Sequence, residues 1–197
     1  MKNKVLGISG SPRKNGNSDM LLEQILRGVE TKNIEVEKIY LREYSFQACI
    51  GCEKCREDHI CTGLNDDMQM LYPKIIEAKG IVLVSPTHHY NITAWMKAFI
   101  DRLYCFYEFT DDRPRGWSSR LANDGRKAVI ATICEQPEKE NLGVTLEAMR
   151  LPLQALGYEV LDELAVLGIF DKGYVGKNDT VMNNAFILGQ KLAQNLL

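Results

Sequence analysis

Four of the six cysteines stand close together in the chain, at Cys49, Cys52, Cys55 and Cys61. In a reducing compartment, such a group of thiols is typical of metal or redox chemistry rather than of a disulfide framework. The two-residue gaps let a chain wrap three corners of a cubane, and the longer arm reaches the fourth corner. One loop with these four thiolates therefore favours a single [4Fe–4S] cluster.

Two alternatives for the four cysteines stay open on the sequence alone. A structural zinc site usually pairs two Cys-x2-Cys knuckles that are distant in sequence, so zinc fits this spacing less well. Reduced or redox-labile thiols without iron are the other alternative. The remaining cysteines, Cys105 and Cys134, are interpreted as packed thiols, although Cys134 also ends a predicted strand.

The segment from Ser9 to Ser18, with the sequence SGSPRKNGNS, is suited to an anion. It offers hydroxyls, free backbone amides and Arg13 ahead of a predicted helix, and such groups bind phosphate. It has neither the dinucleotide spacing G-x-G-x-x-G nor the triphosphate spacing G-x-x-x-x-G-K-[ST]. A mononucleotide phosphate fits better, and a solvated turn with a Ser or Asn cap is the alternative.

A second group of chemically capable residues follows a predicted buried strand, at His88, His89 and Tyr90. At the carboxyl end of a strand, their rings and donors can face a planar ligand. A metal ion on the two histidines is not favoured, because neighbours in sequence rarely converge on one ion. The next strand ends in Cys134 and Glu135, which are predicted to form the remaining rim of the same crevice.

Strand-like and helix-like segments alternate along the chain, and these elements must position the groups above. Apolar runs predict strands at 5–9, 34–39, 81–85 and 128–133, and two further pieces at 157–161 and 164–167. Amphipathic periodicity predicts helices at 17–30, 68–78, 92–106, 144–156 and 181–196. This alternation predicts an α/β fold, a doubly wound five-stranded parallel sheet with helices on both faces, in a single domain over residues 1–197.

Two stretches interrupt the alternation without marking a domain boundary: a cysteine-rich loop at about 43–67 and an Arg-rich insertion at about 110–124. The insertion and the residues after it carry Arg113, Arg115, Arg120 and Arg126 with Trp117. Three interpretations are open. They are an electrostatic lip for the phosphates of NAD(P)H or for an acidic electron carrier, a subunit contact, and a solvated loop.

The composition argues against several classes of protein. Lys and Arg number 24 and Asp and Glu number 26, so the net charge of −2 is unlike that of a dedicated nucleic-acid binder. The longest apolar runs are far short of the roughly 20 residues that cross a bilayer. The amino-terminal sequence MKNKVLGISGS lacks the apolar core of a signal peptide. We therefore expect a cytoplasmic protein without nucleic-acid or membrane partners.

Four motifs occur in order along almost the whole chain. They are GISGSPR at 7–13, the four cysteines followed by DDM at 66–68, SPT at 85–87, and KAFIDR at 97–102. With these motifs the chain resembles the NADPH-dependent FMN reductase superfamily, and within it the iron–sulfur flavoproteins. The resemblance implies a flavodoxin-like fold with strand order 2-1-3-4-5, a bound FMN and a homo-oligomer, either a dimer or a tetramer.

The resemblance also assigns roles to individual residues. It implies that the FMN phosphate is held by Ser9, Ser11, Arg13, Asn17 and Ser18. It implies that the isoalloxazine is lined by Pro86, Thr87, His88, Tyr90 and Asn91, with Cys134 and Glu135 nearby. The chain departs from many relatives in having His88 and His89 after Pro-Thr, where an aromatic and a small residue are more usual. Many reductases of the superfamily with similar cysteines are described without a cluster.

These expectations combine into an oxidoreductase, a cytoplasmic electron-transfer flavoprotein with FMN at the switch point of the sheet and a [4Fe–4S] loop near it. Electrons would come from a ferredoxin or from NAD(P)H and would pass to a quinone, to oxygen species or to another carrier. Such exchange requires no proton-shuttling residue, so no catalytic acid or base is predicted. One alternative is a cluster-free NAD(P)H-dependent FMN or quinone reductase. The other is a non-catalytic redox- or zinc-sensing flavin-binding module.

Overall fold

The computed structural model describes residues 3–197 of the chain. Its strands are β1 (Lys4–Ser9), β2 (Glu35–Tyr40), β3 (Gly80–Pro86), β4 (Tyr107–Phe109), β5 (Trp117–Ser119), β6 (Lys127–Ile133) and β7 (Glu159–Val166). Its helices are α1 (Asn17–Glu30), α2 (Cys55–Asp58), α3 (Met68–Glu77), α4 (Ala94–Arg102), α5 (Thr145–Ala155) and α6 (Asp179–Gln194).

Five of these strands form one parallel sheet in the order β2–β1–β3–β6–β7. With the sheet strands alone counted along the chain, the order is 2-1-3-4-5, so the predicted flavodoxin-like topology is confirmed. The chain leaves β1 toward β2 on one side and later returns to β3 on the other. The carboxyl ends of β1 and β3 are therefore a topological switch point, where such sheets bind ligands.

The sheet is buried on both faces because successive side chains of a strand point to opposite sides. In β3, Ile81 and Leu83 belong to the core that includes residues of α3, α4 and α5, whereas Val82 and Val84 belong to the core that includes residues of α1 and α6. This explains why the central strands read as continuous apolar runs in the sequence rather than as alternating ones.

Two glycines set the close packing of α1 against α6. A Cβ atom added to Gly28 would lie 3.1 Å from the Cα atom of Gly189, and one added to Gly189 would collide with the carbonyl of Ile25. The two backbones therefore approach more closely than any other residue would permit at these positions. This contact holds α1, whose first turn lies at the switch point.

Three details differ from the predicted elements. The helix predicted at 92–106 is α4 followed by a 3-10 turn at Leu103–Phe106, and Thr93 caps it by accepting from the Met96 amide at 3.2 Å. The two strand pieces predicted at 157–161 and 164–167 form the single strand β7. The pairing of β7 with β6 has a register shift between Ala128 and Val129, where Leu161 of β7 is the extra residue. The polar residues of β7 fit its place at the edge of the sheet, where much of the strand is exposed.

The insertions also contain regular structure that the sequence did not predict. The cysteine-rich loop includes the one-turn helix α2, and the Arg-rich insertion is an antiparallel hairpin of β4 and β5. Strands of three residues are too short to display a recognisable alternation. In residues 3–197, no helix combines the length and the apolar character that a bilayer-spanning segment needs.

Candidate functional site

The loop after β1 leads into a helix with no side-chain cap. Helix α1 begins at Asn17 after Gly16, and within the part of the chain that the structure describes no side-chain hydrogen bond caps its first turn. The first amide N–H groups of a helix have no intrahelical partner and carry the positive end of its dipole. Ser11 and Ser18 are buried beside this turn. An uncapped helix start with buried hydroxyls is suited to a phosphate group.

A buried ion pair holds the loop in shape. Asp19 Oδ2 lies 2.8 Å from Arg42 Nη2, and Asp19 Oδ1 accepts from Ser9 Oγ at 2.8 Å. The same carboxylate accepts from the Asn15 amide at 2.9 Å, and Arg42 donates to the Ser11 carbonyl at 3.2 Å. Since Ser9 is fully buried and bonded to Asp19, its side chain shapes the loop from behind.

A cavity of about 130 Å³ opens beside this loop. Four of the predicted phosphate residues line it: Ser11, Arg13, Asn17 and Ser18. Three of the predicted ring residues, Pro86, Thr87 and His88, line it as well, and so does Glu135, which was predicted to lie near the ring. The sequence patterns at the ends of β1, β3 and β6 thus converge on one cavity at the switch point.

The segment after β7 closes one side of the cavity. Arg13 lies over the ring of Phe170, with 4.4 Å between Cζ and the ring centroid, and its Nη1 donates to the Phe170 carbonyl at 3.2 Å. Asn17 Nδ2 donates to the Asp171 carbonyl at 3.0 Å, and Asn17 Oδ1 accepts from the Val175 amide at 3.1 Å. The Asn17 side chain therefore fastens this wall to the start of α1.

Residues 88–91 form a tight turn in which the first and last residues exchange backbone hydrogen bonds of 2.7 and 3.1 Å. Its central residues, His89 and Tyr90, have φ angles of 47° and 63°. This left-handed conformation is unfavourable for side chains of their size. The Tyr90 carbonyl accepts from the Val144 amide at 2.9 Å, which holds the turn in place. Backbone strain of this kind concentrates at ligand sites.

His88 brings an imidazole to the cavity wall. Although His88 is exposed overall, partial desolvation of its ring lowers its pKa, and the neighbouring Arg13 and His89 lower it further. The ring is therefore neutral near pH 7 and presents one donor and one acceptor. The neighbouring Thr87 hydroxyl lies 3.2 Å from the hydroxyl of Thr132 and 3.2 Å from that of Thr145, which fixes its rotamer.

Four predicted site residues do not line this cavity. Ser9 is buried behind the loop, and Tyr90 and Asn91 are exposed. Cys134 is buried, with its Sγ 3.9 Å from the Asn141 carbonyl oxygen.

Four residues that were not predicted do line the cavity: Pro12, Ile133, Ile169 and Phe170. Pro12 and Ile133 are sequence neighbours of predicted residues. Ile169 and Phe170 follow the last strand in a segment without a motif. Only the rule that ligands lie beyond the carboxyl ends of the strands would have indicated them.

The cysteine loop has a half-buried part and an exposed part. Cys55, the first residue of α2, and Cys61 are half-buried and pack against the core. Cys49 and Cys52 are exposed. Among the described residues, the backbone of 48–52 makes no hydrogen bond to other backbone groups. Two thiols are thus held by the fold, and two lie on a segment with little support of its own.

The four sulfurs nevertheless share one neighbourhood. Burial raises the pKa of the Cys55 thiol, and the nearby Cys61, Cys49 and Cys52 raise it further. Across residues 3–197, no three His, Cys, Asp or Glu side chains are grouped closely enough to hold a metal ion. Four thiolates match the donor set of an iron–sulfur cluster or of zinc. Binding either one therefore requires the four thiols to come closer together.

The hairpin of the Arg-rich insertion packs against the cysteine loop. Arg115 Nη1 lies 3.7 Å from Glu53 Oε2, and Arg56 Nη2 lies 3.8 Å from Asp111 Oδ1. The Arg56 guanidinium also lies over the ring of Phe109, 5.9 Å from its centroid. The insertion is therefore not a freely solvated loop, because it contacts the segment that carries the thiols.

Arg120 of the insertion and Arg126, which follows it, face inward. Arg120 Nη2 donates to the Cys105 carbonyl at 2.8 Å and to the carbonyl of His59, which follows α2. Arg126 is buried and donates to the carbonyls of Ile75 and Ile76 at 3.0 and 2.8 Å. Arg126 is thus part of the fold rather than of an exposed patch. Cys105 is buried, as predicted for a packed thiol, and burial raises its pKa to about 12.

Comparisons with known proteins identify the family of the chain. The family model described as NADPH-dependent FMN reductase matches residues 3–154. An iron-sulfur flavoprotein of Archaeoglobus fulgidus is 39% identical over 100 residues, which are 51% of this chain and 45% of that protein. A second one from the same organism is 30% identical over 209 residues, covering 97% of this chain and 94% of that protein.

An iron-sulfur flavoprotein of Methanocaldococcus jannaschii is 39% identical over 99 residues, covering 50% of this chain and 51% of that protein. The alignments with this relative and with the first one from A. fulgidus span about half the length of each protein.

Solved structures share the fold at low sequence identity. A flavone reductase aligns with a TM-score of 0.73 at 18% identity, covering 98% of this chain and 62% of that one. An archaeal flavodoxin aligns with a TM-score of 0.59 at 16% identity, covering 98% of each chain.

The fold and the cavity thus define a flavodoxin-like α/β protein with a cavity at the switch point of its parallel sheet. The chain belongs to the NADPH-dependent FMN reductase family, and within it the chain is similar to proteins named iron-sulfur flavoproteins.

Proposed function

We propose that the cavity beside the loop after β1 binds FMN, with its phosphate at the start of α1. The observation that carries this proposal is the uncapped first turn of α1, beside the buried hydroxyls of Ser11 and Ser18. Arg13 supplies the positive charge at the cavity wall. Ser9 and Asn17 act by holding the loop and the wall in place.

The isoalloxazine then lies toward the turn after β3. Pro86, Thr87 and His88 border it from β3, and Glu135 borders it from the end of β6. A neutral His88 can hydrogen-bond to a polar edge of the ring. The predicted contacts of Tyr90 and Asn91, and the proximity of Cys134, are retained in this proposal.

We further propose that Cys49, Cys52, Cys55 and Cys61 hold a [4Fe–4S] cluster. The spacing, the shared neighbourhood of the four sulfurs and the names of the curated relatives support it. A bound flavin supplies exchange between two-electron and one-electron carriers, and the protein positions and tunes it. The loop would exchange single electrons with a partner.

The proposed activity is electron transfer between NAD(P)H or a ferredoxin-like donor and a quinone, oxygen species or further carrier. The protein is proposed to act in the cytoplasm, where thiols stay available to metal, as a homodimer or homotetramer without nucleic-acid or membrane partners.

One anaerobic experiment tests both cofactors. The purified chain is reconstituted with iron, sulfide and FMN, and then iron, zinc, sulfide and flavin are measured on the same sample with a visible spectrum. About one flavin and about four irons and four sulfides per chain are expected. A flavin spectrum without a broad visible shoulder, and with iron near zero, would contradict the cluster. Failure to retain FMN would contradict the cavity assignment.

A cluster-free NAD(P)H-dependent FMN or quinone reductase is the second candidate. The separation of the exposed from the half-buried thiols favours it. Rapid reduction of bound FMN by NADPH without iron or any added carrier would support it. Stoichiometric zinc without iron would instead support a non-catalytic redox- or zinc-sensing module.

A further inference from the structure

The two ends of the cysteine loop are joined by one buried arginine. The Arg102 side chain is fully buried in α4, outside the loop itself. Its Nη1 donates to the Gln47 carbonyl at 2.9 Å and to Asp66 Oδ2 at 2.6 Å, and its Nη2 donates to Asp66 Oδ1 at 3.1 Å. Gln47 precedes the first cysteine and Asp66 follows the last one, so a single guanidinium spans the base of the loop.

The acceptor of this arginine is itself positioned by the loop. Asp66 Oδ2 accepts from the Gln47 amide at 3.1 Å, and Asp66 Oδ1 accepts from the Met68 amide at 3.1 Å. Next to Gln47 and Asp66, Ser45 and Asp67 also join the two ends of the loop. The Ser45 amide donates to Asp67 Oδ2 at 2.6 Å, and the Asp67 amide donates to the Ser45 carbonyl at 3.1 Å. A bidentate arginine–carboxylate pair is directional as well as strong. It therefore fixes the distance between the segment that enters the cysteine loop at Gln47 and the segment that leaves it at Asp66.

The half-buried thiols are tied to the same base. Gln69 Nε2 donates to the Cys61 carbonyl at 2.6 Å and to the Leu64 carbonyl at 3.2 Å. Cys61 and Cys55 pack against the core cluster that contains residues of α4. The position of Cys61 relative to the core thus depends on the segment that Asp66 and Gln69 hold.

The absence of a side chain at Gly63 leaves room for the side chain of the exposed Cys52 near the base of the loop. Gly63 lies between Cys61 and Asp66, and a Cβ atom added to it would overlap the sulfur of Cys52. Any larger residue at position 63 must therefore displace the Cys52 side chain from the returning strand of the loop.

We propose that Arg102, with Asp66, is a positioning residue of the four-thiolate site, and that Gly63 admits Cys52 to it. This inference rests on the proposed function of the four cysteines. The Arg102–Asp66 pair orders the base of the loop before any metal binds. Metal binding then requires only that the four thiols come closer together. Outer partners of metal ligands contribute about 10- to 100-fold to metal affinity, and the same range is expected here.

The test is an anaerobic titration of the reduced full-length chain with cobalt(II), followed by the thiolate-to-cobalt charge-transfer absorption. Asp66→Asn and Gly63→Ala are each expected to weaken cobalt binding about 10-fold or more and to alter the d–d bands. Two variants are used because Asp66→Asn leaves Arg102 buried without its carboxylate, whereas Gly63→Ala leaves the pair intact.

Matched controls separate positioning from general damage. Asp124→Asn removes a carboxylate that pairs with another buried arginine, Arg126, at 3.0 Å and outside the cysteine loop. Gly116→Ala adds a methyl group in the hairpin at ordinary contact distance from Thr110. Both controls are expected to bind cobalt within about 2-fold of the unmodified chain. FMN binding by all four variants, measured by quenching of flavin fluorescence, reports that the sheet is folded.

The outcomes are distinct. If the unmodified chain binds cobalt and both test variants match it within about 2-fold, Arg102 and Gly63 have no positioning role, and the proposed function stands. If the unmodified chain binds neither cobalt nor reconstituted iron, the four-thiolate site is wrong and the positioning role falls with it. Weak cobalt binding by the two test variants, with strong binding by the two controls, supports the inference.

Discussion

The loop after β1 and the cysteine loop both follow carboxyl ends of parallel strands, but the fold supports them differently. In the first loop, Ser9, Ser11 and Asp19 are buried, and their side chains are hydrogen-bonded. In the second loop, Cys49 and Cys52 are exposed on a segment whose backbone makes no hydrogen bond to other backbone groups of residues 3–197. The first loop is held in shape by its own side chains, and the second loop is held only in part.

The difference in order between the two loops predicts two different energetics of ligand binding. A preorganised site loses little conformational freedom when its ligand binds, so more of the contact energy appears as affinity. A partly formed site loses more, and a metal can supply that free energy because its bonds to thiolates are strong. We therefore expect flavin binding to tolerate loss of the metal, and metal binding to depend on residues that keep the loop base together.

The largest effect is expected at the ion pair beneath the first loop. Asp19→Asn leaves the largely buried guanidinium of Arg42 with the more distant carboxylate of Glu43, at 3.9 Å, as its counter-charge, which should lower the free energy of unfolding by about 3 kcal/mol. Urea denaturation monitored by circular dichroism measures it. The control is Asp162→Asn, which removes an exposed pair with Lys191 at 2.8 Å and should cost less than about 1 kcal/mol. Equal effects of the two substitutions would mean that the first loop is not held by this pair.

The next effect separates the two parts of the cysteine loop. Cys49→Ser and Cys61→Ser should both reduce reconstituted iron from about four per chain to near zero, because each removes one of four ligands. Without metal, only Cys61→Ser should change stability by more than about 0.5 kcal/mol, since Cys61 packs against the core and Cys49 is exposed. Iron analysis and urea denaturation of the metal-free chain check these outcomes. Full iron retention by either variant would contradict the four-ligand assignment.

A smaller effect is expected at the wall of the cavity. Phe170→Ala removes the ring beneath Arg13, so FMN affinity should fall by about 0.5–1 kcal/mol, which is roughly 2- to 5-fold. The matched control is Tyr174→Ala, an exposed ring in the same segment that contacts Lys177 instead. Fluorescence titration with FMN distinguishes them. If both variants bind FMN as the unmodified chain does, the Arg13–Phe170 contact does not order the loop after β1.

The smallest effect is a pH dependence from His88. Its pKa is lowered in the folded chain by partial desolvation of the ring, so the unfolded chain binds more protons as the pH falls below about 6.5. Stability should therefore decrease from pH 7 toward pH 5, and His88→Gln should remove part of that decrease. Urea denaturation at several pH values measures it, with His59→Gln as the control for loss of a histidine elsewhere. An unchanged pH slope in His88→Gln would exclude the contribution of His88.

The sheet was predictable because its signals are local. Continuous apolar runs marked β3 and β6, and amphipathic periodicity marked α1, because burial imposes these patterns on neighbouring residues. The order of the strands came from the resemblance, not from the runs. The hairpin of β4 and β5 was missed because each of its strands has only three residues, too few to display an alternation.

The candidate site was predictable only where the type of a residue indicates which ligand it could bind. Ser11, Arg13 and Ser18 lie in a loop whose hydroxyl and guanidinium groups are suited to phosphate, and the structure places all three around one cavity. Phe170 carries no such signal, because its role arises from a segment that folds back from the far edge of the sheet. Arg42 was missed for a similar reason, since its partner Asp19 lies 23 residues away in sequence.

The packing of the hairpin on the cysteine loop bears on protein engineering. The two insertions leave the sheet at different crossovers, yet Arg56 and Arg115 join them. A designer who grafted residues 43–67 alone onto another flavodoxin-like scaffold would leave Glu53 and Arg56 without these partners. The portable unit is therefore discontinuous in sequence: the cysteine loop, the hairpin and the arginine of α4 would have to be transferred together.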